Sequence, residues 1–225
     1  MTEAGRISRA APRSVYDEGC IAAHALDLLG DRWAILVIRE LMFGAKRFGL
    51  IRAGLPGISA SVLTQRLEGL EAGGVLLRVR LPEPADVQVY ELTELGRGVG
   101  PVIDALCRWG ATLPGHDPTK FISPSALMLS MRAMIHRKAA KGQTIRSGFD
   151  LGRESFRCAL VQGHLEVERG AAEGDIVFSG APNAIAPVIY GSAPLTHWLS
   201  SEVVTVHGDP ALGQRFVDLF SLRRE

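Results

Sequence analysis

Cysteine is scarce in this sequence: Cys20, Cys107 and Cys158 are the whole complement of a 225-residue chain. Three widely spaced thiols make neither a disulfide framework nor a zinc ligand set, and they fit a reducing compartment. Long apolar runs are missing as well. No stretch approaches the roughly 18 residues that a membrane span needs. The amino-terminal segment is polar, with Arg6, Arg9 and Arg13, and lacks the apolar core of a secretory signal. Such arginines also occur in transit peptides, but Glu3, Asp17 and Glu18 argue against one. The expectation is a soluble, cytoplasmic protein that does not engage a membrane. A strong charge of either sign is absent too, the formal net charge being +1. Any affinity for nucleic acid therefore has to come from local clustering.

Signatures of catalysis are equally thin. The histidines His24, His116, His136, His164, His197 and His207 show no H-E-x-x-H spacing. Gly57-x-Ser59-x-Ser61 lacks the last glycine of a nucleophile elbow and opens a helix with no convincing strand before it. The run Gly96 to Gly100 is rich in glycine but is not G-x-G-x-x-G. No cofactor and no metal are expected, and the chain reads as a non-enzyme.

What is present is an ordinary globular composition, 47% hydrophobic and 22% charged, with one local excess of positive charge. Between Asp31 and Arg80 there are eight basic residues (Arg32, Arg39, Lys46, Arg47, Arg52, Arg66, Arg78, Arg80) against four acidic ones (Asp31, Glu40, Glu68, Glu71). The clearest break along the chain is Pro114 to Pro124, with three prolines and a glycine, which reads as a linker. It divides the sequence into residues 1–115 and 116–225.

In the first part, Ile21–Leu29 is helical and stopped by Gly30. Asp31 is placed to cap a second helix, RWAILVIRELMF, that is apolar on most sides and so buried. A short helix around Phe48–Ala53 leads into the tight turn LPGIS. Ser59 then caps a helix running to Ala72, with Ile58 placed to pack on Leu63, and Gly73-Gly74 ends it. Strands over Leu76–Leu81 and Val87–Leu92 flank PEPAD as a hairpin, and a last helix runs from Thr93 towards Leu113. That is the order of a winged helix-turn-helix. The second part opens with an apolar helix, Ser125–Arg137. Alternating segments through Phe178 then predict a sheet with one buried face. Helices over Asn183–Tyr190 and Leu195–Ser200, a strand Val203–Val206 and a helix Pro210–Phe220 complete an α+β fold.

On the helix after the turn, Leu63, Leu67 and Leu70 share one stripe, and Ser61, Gln65 and Glu68 face the opposite way, flanked by Thr64 and Arg66. Hydroxyls, an amide and a guanidinium are groups that read base edges and grip phosphates, although any amphipathic helix has a polar face. Arg78 and Arg80, two apart on a strand, share a face that suits phosphate or a minor groove. Lys46 and Arg47 either anchor phosphate or form a charge pair at a helix end.

The stretch C-x3-H-A-L-D-L-L-G-D-R-W from Cys20 resembles the HxlR-type winged-helix regulators. So do R-E-L-x2-G-x2-R-F and L-P-G-I-S-x3-L-T-Q-R-L-x2-L-E-x2-G after it, and Y-E-L-T-x2-G-R from Tyr90 and P-V-I-D-A-L-x2-W-G from Pro101. The resemblance covers about 95 residues and implies a dimeric transcription factor that binds double-stranded DNA at a pseudo-palindromic operator. By that resemblance Ser59, Ser61, Thr64, Gln65 and Arg66 sit on the recognition helix and Arg78 in the wing; Arg47 and Arg80 join them as expected DNA contacts from their positions before the short helix and on the strand face. Leu95, Val99, Val102, Leu106, Trp109 and Leu113 recur every three or four residues, a seam for helix-on-helix packing between subunits or within one. Pro101 is expected to kink or delay that helix.

The stretch GDIVFSGAPNAIAPVIYG, followed by V-V-T-V-H-G-D-P-A-L-x2-R-F-x3-F, is similar to the C-terminal part of sterol carrier protein-like domains over Gly174–Phe220. This resemblance implies a twisted sheet against helices around an apolar tunnel, and with it a hydrophobic small-molecule effector. Met128, Met131 and Met134 are either a pocket wall or plain core. Cys20 occupies a position where some HxlR-type proteins carry a redox-sensing thiol, or else it is a small buried apolar side chain; Cys107 and Cys158 fit core positions. A second reading makes the chain a lipid-binding or carrier protein whose winged helix contacts other proteins.

Overall fold

The computed structural model describes residues 16–84 and 86–222; Arg6, Arg9 and Arg13 of the amino-terminal stretch, and Ala85 in the hairpin tip, lie outside the described residues. Helix α1 (Ile21–Leu29) is followed by α2 (Ala34–Leu41), α3 (Phe48–Ala53) and α4 (Ala60–Ala72). Asp31 does not cap α2 as expected. Its carboxylate accepts the backbone N–H of Trp33 at 2.9 Å and makes a turn before the helix, whose cap position is Trp33. Ser59 does cap α4, its Oγ accepting from Val62 N at 3.2 Å. Strands β1 (Leu76–Arg80) and β2 (Gln88–Leu92) pair antiparallel, with Arg78 opposite Tyr90. The helix expected from Thr93 onwards is broken into α5 (Glu94–Arg97) and α6 (Gly100–Gly110). Pro101 stands in the first turn of α6, where its missing N–H costs no helical bond.

The interior of this part gathers Val37, Ile38 and Leu41 of α2, Leu63, Leu67 and Leu70 of α4, and Tyr90 and Leu92 of the hairpin. Burial of each such leucine contributes roughly 1.5–3 kcal/mol, so the three-leucine stripe fixes which way α4 faces.

After a segment without helix or strand, α7 (Pro124–Met134) begins on Ser123, whose Oγ accepts from Ala126 N at 3.1 Å. Then follow α8 (Arg137–Ala140), β3 (Arg146–Asp150), β4 (Ser155–Val161), β5 (His164–Arg169), β6 (Ile176–Gly180), α9 (Pro182–Tyr190), α10 (Leu195–Trp198), β7 (Val204–Gly208) and α11 (Pro210–Val217). The five strands make one mixed sheet in the order β5-β4-β3-β6-β7, with β3 and β6 parallel and the other pairs antiparallel. Alternation along β4 buries Phe156, Cys158 and Leu160 and turns Arg157 and Val161 outward. Beneath the sheet the rings of Phe149 and Phe178 stack at 5.2 Å, and Phe216 of α11 lies 6.2 and 6.0 Å from them. Met128 and Met131 are wholly buried in this core and are packing, whereas Met134, also buried, lies outside it and lines a cavity.

Helix α7 serves both interiors. Leu127, Met128 and Met131 pack into the sheet's core, whereas Leu129 belongs to the core of the winged helix. Phe43, just past α2, touches both and meets Phe156 edge-on at 5.7 Å. Among the described residues no helix is long and apolar enough to cross a membrane.

Candidate nucleic-acid interface

Helix α3, the corner Leu55 to Ser59 and helix α4 form the helix-turn-helix. Gly57 turns the corner at φ +87°, a left-handed backbone that a side chain would resist. With its leucines inward, α4 leaves Ser59, Ser61, Thr64 and Gln65 exposed. The hydroxyls of Ser59 and Ser61 are 3.0 Å apart, so both converge on the amino-terminal end of the helix.

Arg66 behaves differently. Its guanidinium turns back to Asp31 Oδ2 at 3.2 Å and to Gln65 Oε1 at 3.3 Å, and only 15% of the side chain is exposed. Here it ties α4 to the start of α2, and it has to leave Asp31 before it can reach a ligand.

On the wing, Arg78 and Arg80 are both exposed. Arg78 bonds Glu71 Oε2 of α4 at 3.1 Å and lies over the Tyr90 ring at 5.6 Å, so it is aimed by two neighbours. Arg80 is clamped by Asp86 through two bonds of 2.6 and 2.8 Å. These bonds hold the Asp86 carboxyl below the usual carboxylate range. Arg47 is exposed at the residue before α3, and Arg52 is exposed on that helix.

Lys46 is a correction. The sequence offered it as a phosphate anchor or as part of a charge pair at a helix end, yet its side chain is 0% exposed and its ion pairs run into the interior. Its Nζ donates to Glu40 Oε2 at 3.1 Å, to Glu154 Oε1 at 2.6 Å and to Ser125 Oγ at 3.0 Å. Glu40 in turn accepts from Ser123 Oγ at 2.6 Å and from Arg39 at 2.9 Å. Arg169 Nε stands 3.4 Å from Glu154 Oε2, and its Nη1 donates to Ala45 O at 2.8 Å. The warning in the sequence was Glu40, which with Arg39 interrupts a helix that is otherwise apolar.

The seam on α5 and α6 faces away from the core. Leu95, Val102, Leu106, Trp109 and Leu113 are exposed, Trp109 by 61%, whereas Val99 turns inward with Ile103. Cys20 is exposed at the cap of α1, which removes its reading as a buried apolar residue. Cys158 is buried, and that burial pushes its thiol up. Two open cavities of about 440 Å³ each have charged walls. One is lined by Arg146, Arg157, Glu166, Glu168 and Asp175, the other by Arg108, His136, Arg137 and Lys138 beside Met134 and Ile135.

A family model described as HxlR-like helix-turn-helix matches residues 28–117. YvaP of Bacillus subtilis, an HTH-type transcriptional regulator by name, is 36% identical over 103 residues, which are 46% of this chain and 88% of that protein. The chain belongs to the HxlR-like helix-turn-helix family. A further HTH-type transcriptional regulator, from Synechocystis sp., is 41% identical over 92 residues, 41% of this chain and 68% of that one. Among solved structures, the reduced form of YodB from Bacillus subtilis is 35% identical, covers 44% of this chain and 100% of its own, and superposes with a TM-score of 0.40. The HxlR-like segment takes in α2 to α6 and both wing strands, and it stops before α7.

Proposed function

We propose that this protein is a transcriptional regulator that binds a pseudo-palindromic DNA operator as a dimer, with α4 in the major groove. The observation that carries the reading is the exposed group Ser59, Ser61, Thr64 and Gln65, on the helix directly after the turn, with leucines locked beneath it. Gln65 offers an adenine both a donor and an acceptor. Arg47 on one side and Arg78 and Arg80 on the wing supply cations for phosphate, and Arg66 joins them once it releases Asp31. Two such helices are needed because one reads only a few base pairs. The exposed seam Leu95, Val102, Leu106 and Trp109 is the surface we assign to the second subunit.

In the same reading, residues 1–115 bind DNA and dimerise, and residues 116–225 hold a hydrophobic effector in a domain of sterol carrier type. In support of the latter, a mixed sheet carries helices over a continuous apolar layer. Phe149, Phe178 and Phe216 occupy that layer, so a ligand has to displace rings and favour one conformer over another to change DNA binding. Cys20, exposed and free, is the site for a redox input.

A gel-shift series with the DNA upstream of the protein's own gene, at several salt concentrations, tests the central claim. Affinity is expected to fall steeply as salt rises, since each phosphate contact releases counterions. Gln65→Ala is expected to lose about 1–3 kcal/mol of discrimination between operator and unrelated DNA. Equal affinity for both DNAs, insensitive to salt, would overturn the assignment.

A further inference from the structure

The cluster around Lys46 joins the two halves of the chain at the base of the wing. Lys46 and Glu40 come from the winged helix, while Ser123 closes the linker and Ser125, Glu154 and Arg169 come from beyond it. Three cations surround two carboxylates, and the side chains of Lys46, Glu40 and Glu154 are no more than 2% exposed. Such a set is costly to desolvate and more costly to break, because a partner left alone is a buried bare charge. The Lys46 ammonium therefore stays where the two carboxylates put it.

Its backbone is equally committed. Lys46 N donates to Tyr90 O at 3.0 Å and Tyr90 N donates to Lys46 O at 2.9 Å, an isolated bridge that adds Lys46 to the wing as a third, one-residue strand. Tyr90 then carries two wing side chains, Arg78 over its ring and Gln88, whose Nε2 donates to the phenol oxygen at 3.1 Å. On the other side, the residue after Lys46 is Arg47, which opens α3. One buried side chain thus fixes the root of the wing and the entrance to the helix-turn-helix together, and one of its two carboxylates belongs to the turn that leads into β4 of the C-terminal sheet.

We propose that Lys46 is a positioning residue for the DNA-contacting surface, and that Glu154 and Arg169 of the C-terminal part set wing geometry through it without touching DNA. The DNA consequence rests on the function proposed above, whereas the effect on the wing does not. Glu154→Gln keeps the side chain's shape, removes one of the two carboxylates and shifts the cluster towards excess positive charge. Lys46→Met, the more drastic change, leaves two carboxylates facing each other and endangers folding, so Glu154→Gln is the informative variant.

The experiment compares the full-length protein with Glu154→Gln, Arg78→Ala and the double variant, reading amide hydrogen exchange across residues 76–92, melting temperature and operator affinity. Residue-to-residue couplings of this kind change affinity by about 2- to 30-fold. Glu154→Gln is expected to speed wing exchange and weaken operator binding within that range. In the double variant the loss should be smaller than the product of the two single losses. A lowered melting temperature with unchanged wing exchange would overturn the proposal, as would independent, multiplying losses in the double variant. Should the protein bind no operator at all, the DNA reading fails on its own, and wing exchange in Glu154→Gln still decides whether the C-terminal part sets the wing.

Discussion

Arg80 and Asp86 neutralise each other near the tip of the wing, so one of the two wing arginines assigned to phosphate is already engaged. The bonds from Arg80 hold the Asp86 carboxyl low, and what the pair contributes is present above the unfolded carboxylate value of about 3.9. It is lost only as pH falls through the lowered folded value. Near neutral pH the carboxylate is therefore ionised and competes with phosphate for Arg80, and mutation of Asp86 removes that competitor. Asp86→Asn removes a negative charge and releases Arg80. The expected result is tighter DNA binding, with a steeper dependence on salt by about one phosphate contact, a change of about 0.9 in the slope, read from gel shifts across a salt series. Unchanged affinity and slope would take Arg80 out of the interface. Arg66 poses the same question in a different setting, since its partner Asp31 also anchors the turn before α2.

Helices α2 and α3 meet at Gly54, where an added Cβ would collide with the Glu40 carboxylate. The backbone there is ordinary helical, at φ −79°, so Gly54→Ala isolates that collision from any conformational strain. It is expected to lower stability by roughly 1–3 kcal/mol, measured by urea unfolding, and Glu40→Gln should lessen the loss little because the shape is the same. Periodicity made most elements legible beforehand. Leu63, Leu67 and Leu70 gave the facing of α4, Ser59 its start, and the alternation around Phe156 and Phe178 the buried face of the sheet. Asp31 was misread because a carboxylate at a helix entrance can serve either the helix or the turn before it. Lys46 was misread for a different reason. Its partners Ser125 and Glu154 lie 79 and 108 residues away, and no local pattern carries such a distance. The break of the last helix was foreseen from Pro101, and the inward turn of Arg66 was not, since its choice of Asp31 over water depends on how α2 and α4 cross.

At the scale of the whole molecule, the exposed seam of α5 and α6 is the largest commitment still open in a single chain. Trp109→Asp places a charge where the seam is most exposed and leaves both cores untouched. A dimer held by this surface is expected to weaken by about 30-fold or more, as for other aromatic anchors, visible as a shift to monomer in sedimentation equilibrium. A dimer of undiminished strength would move the interface elsewhere. Helix α7 has a bearing on how the molecule can be recombined. A graft that joined another winged helix to this sheet at the proline-rich linker would carry Leu129 into a foreign core and leave its own slot vacant at the origin. A cut after Met134 would strip Leu127, Met128 and Met131 from beneath the sheet instead. Neither of these two cuts falls cleanly, so a transplanted half is expected to need compensating changes around Leu129 or around Leu127, Met128 and Met131 before it folds well.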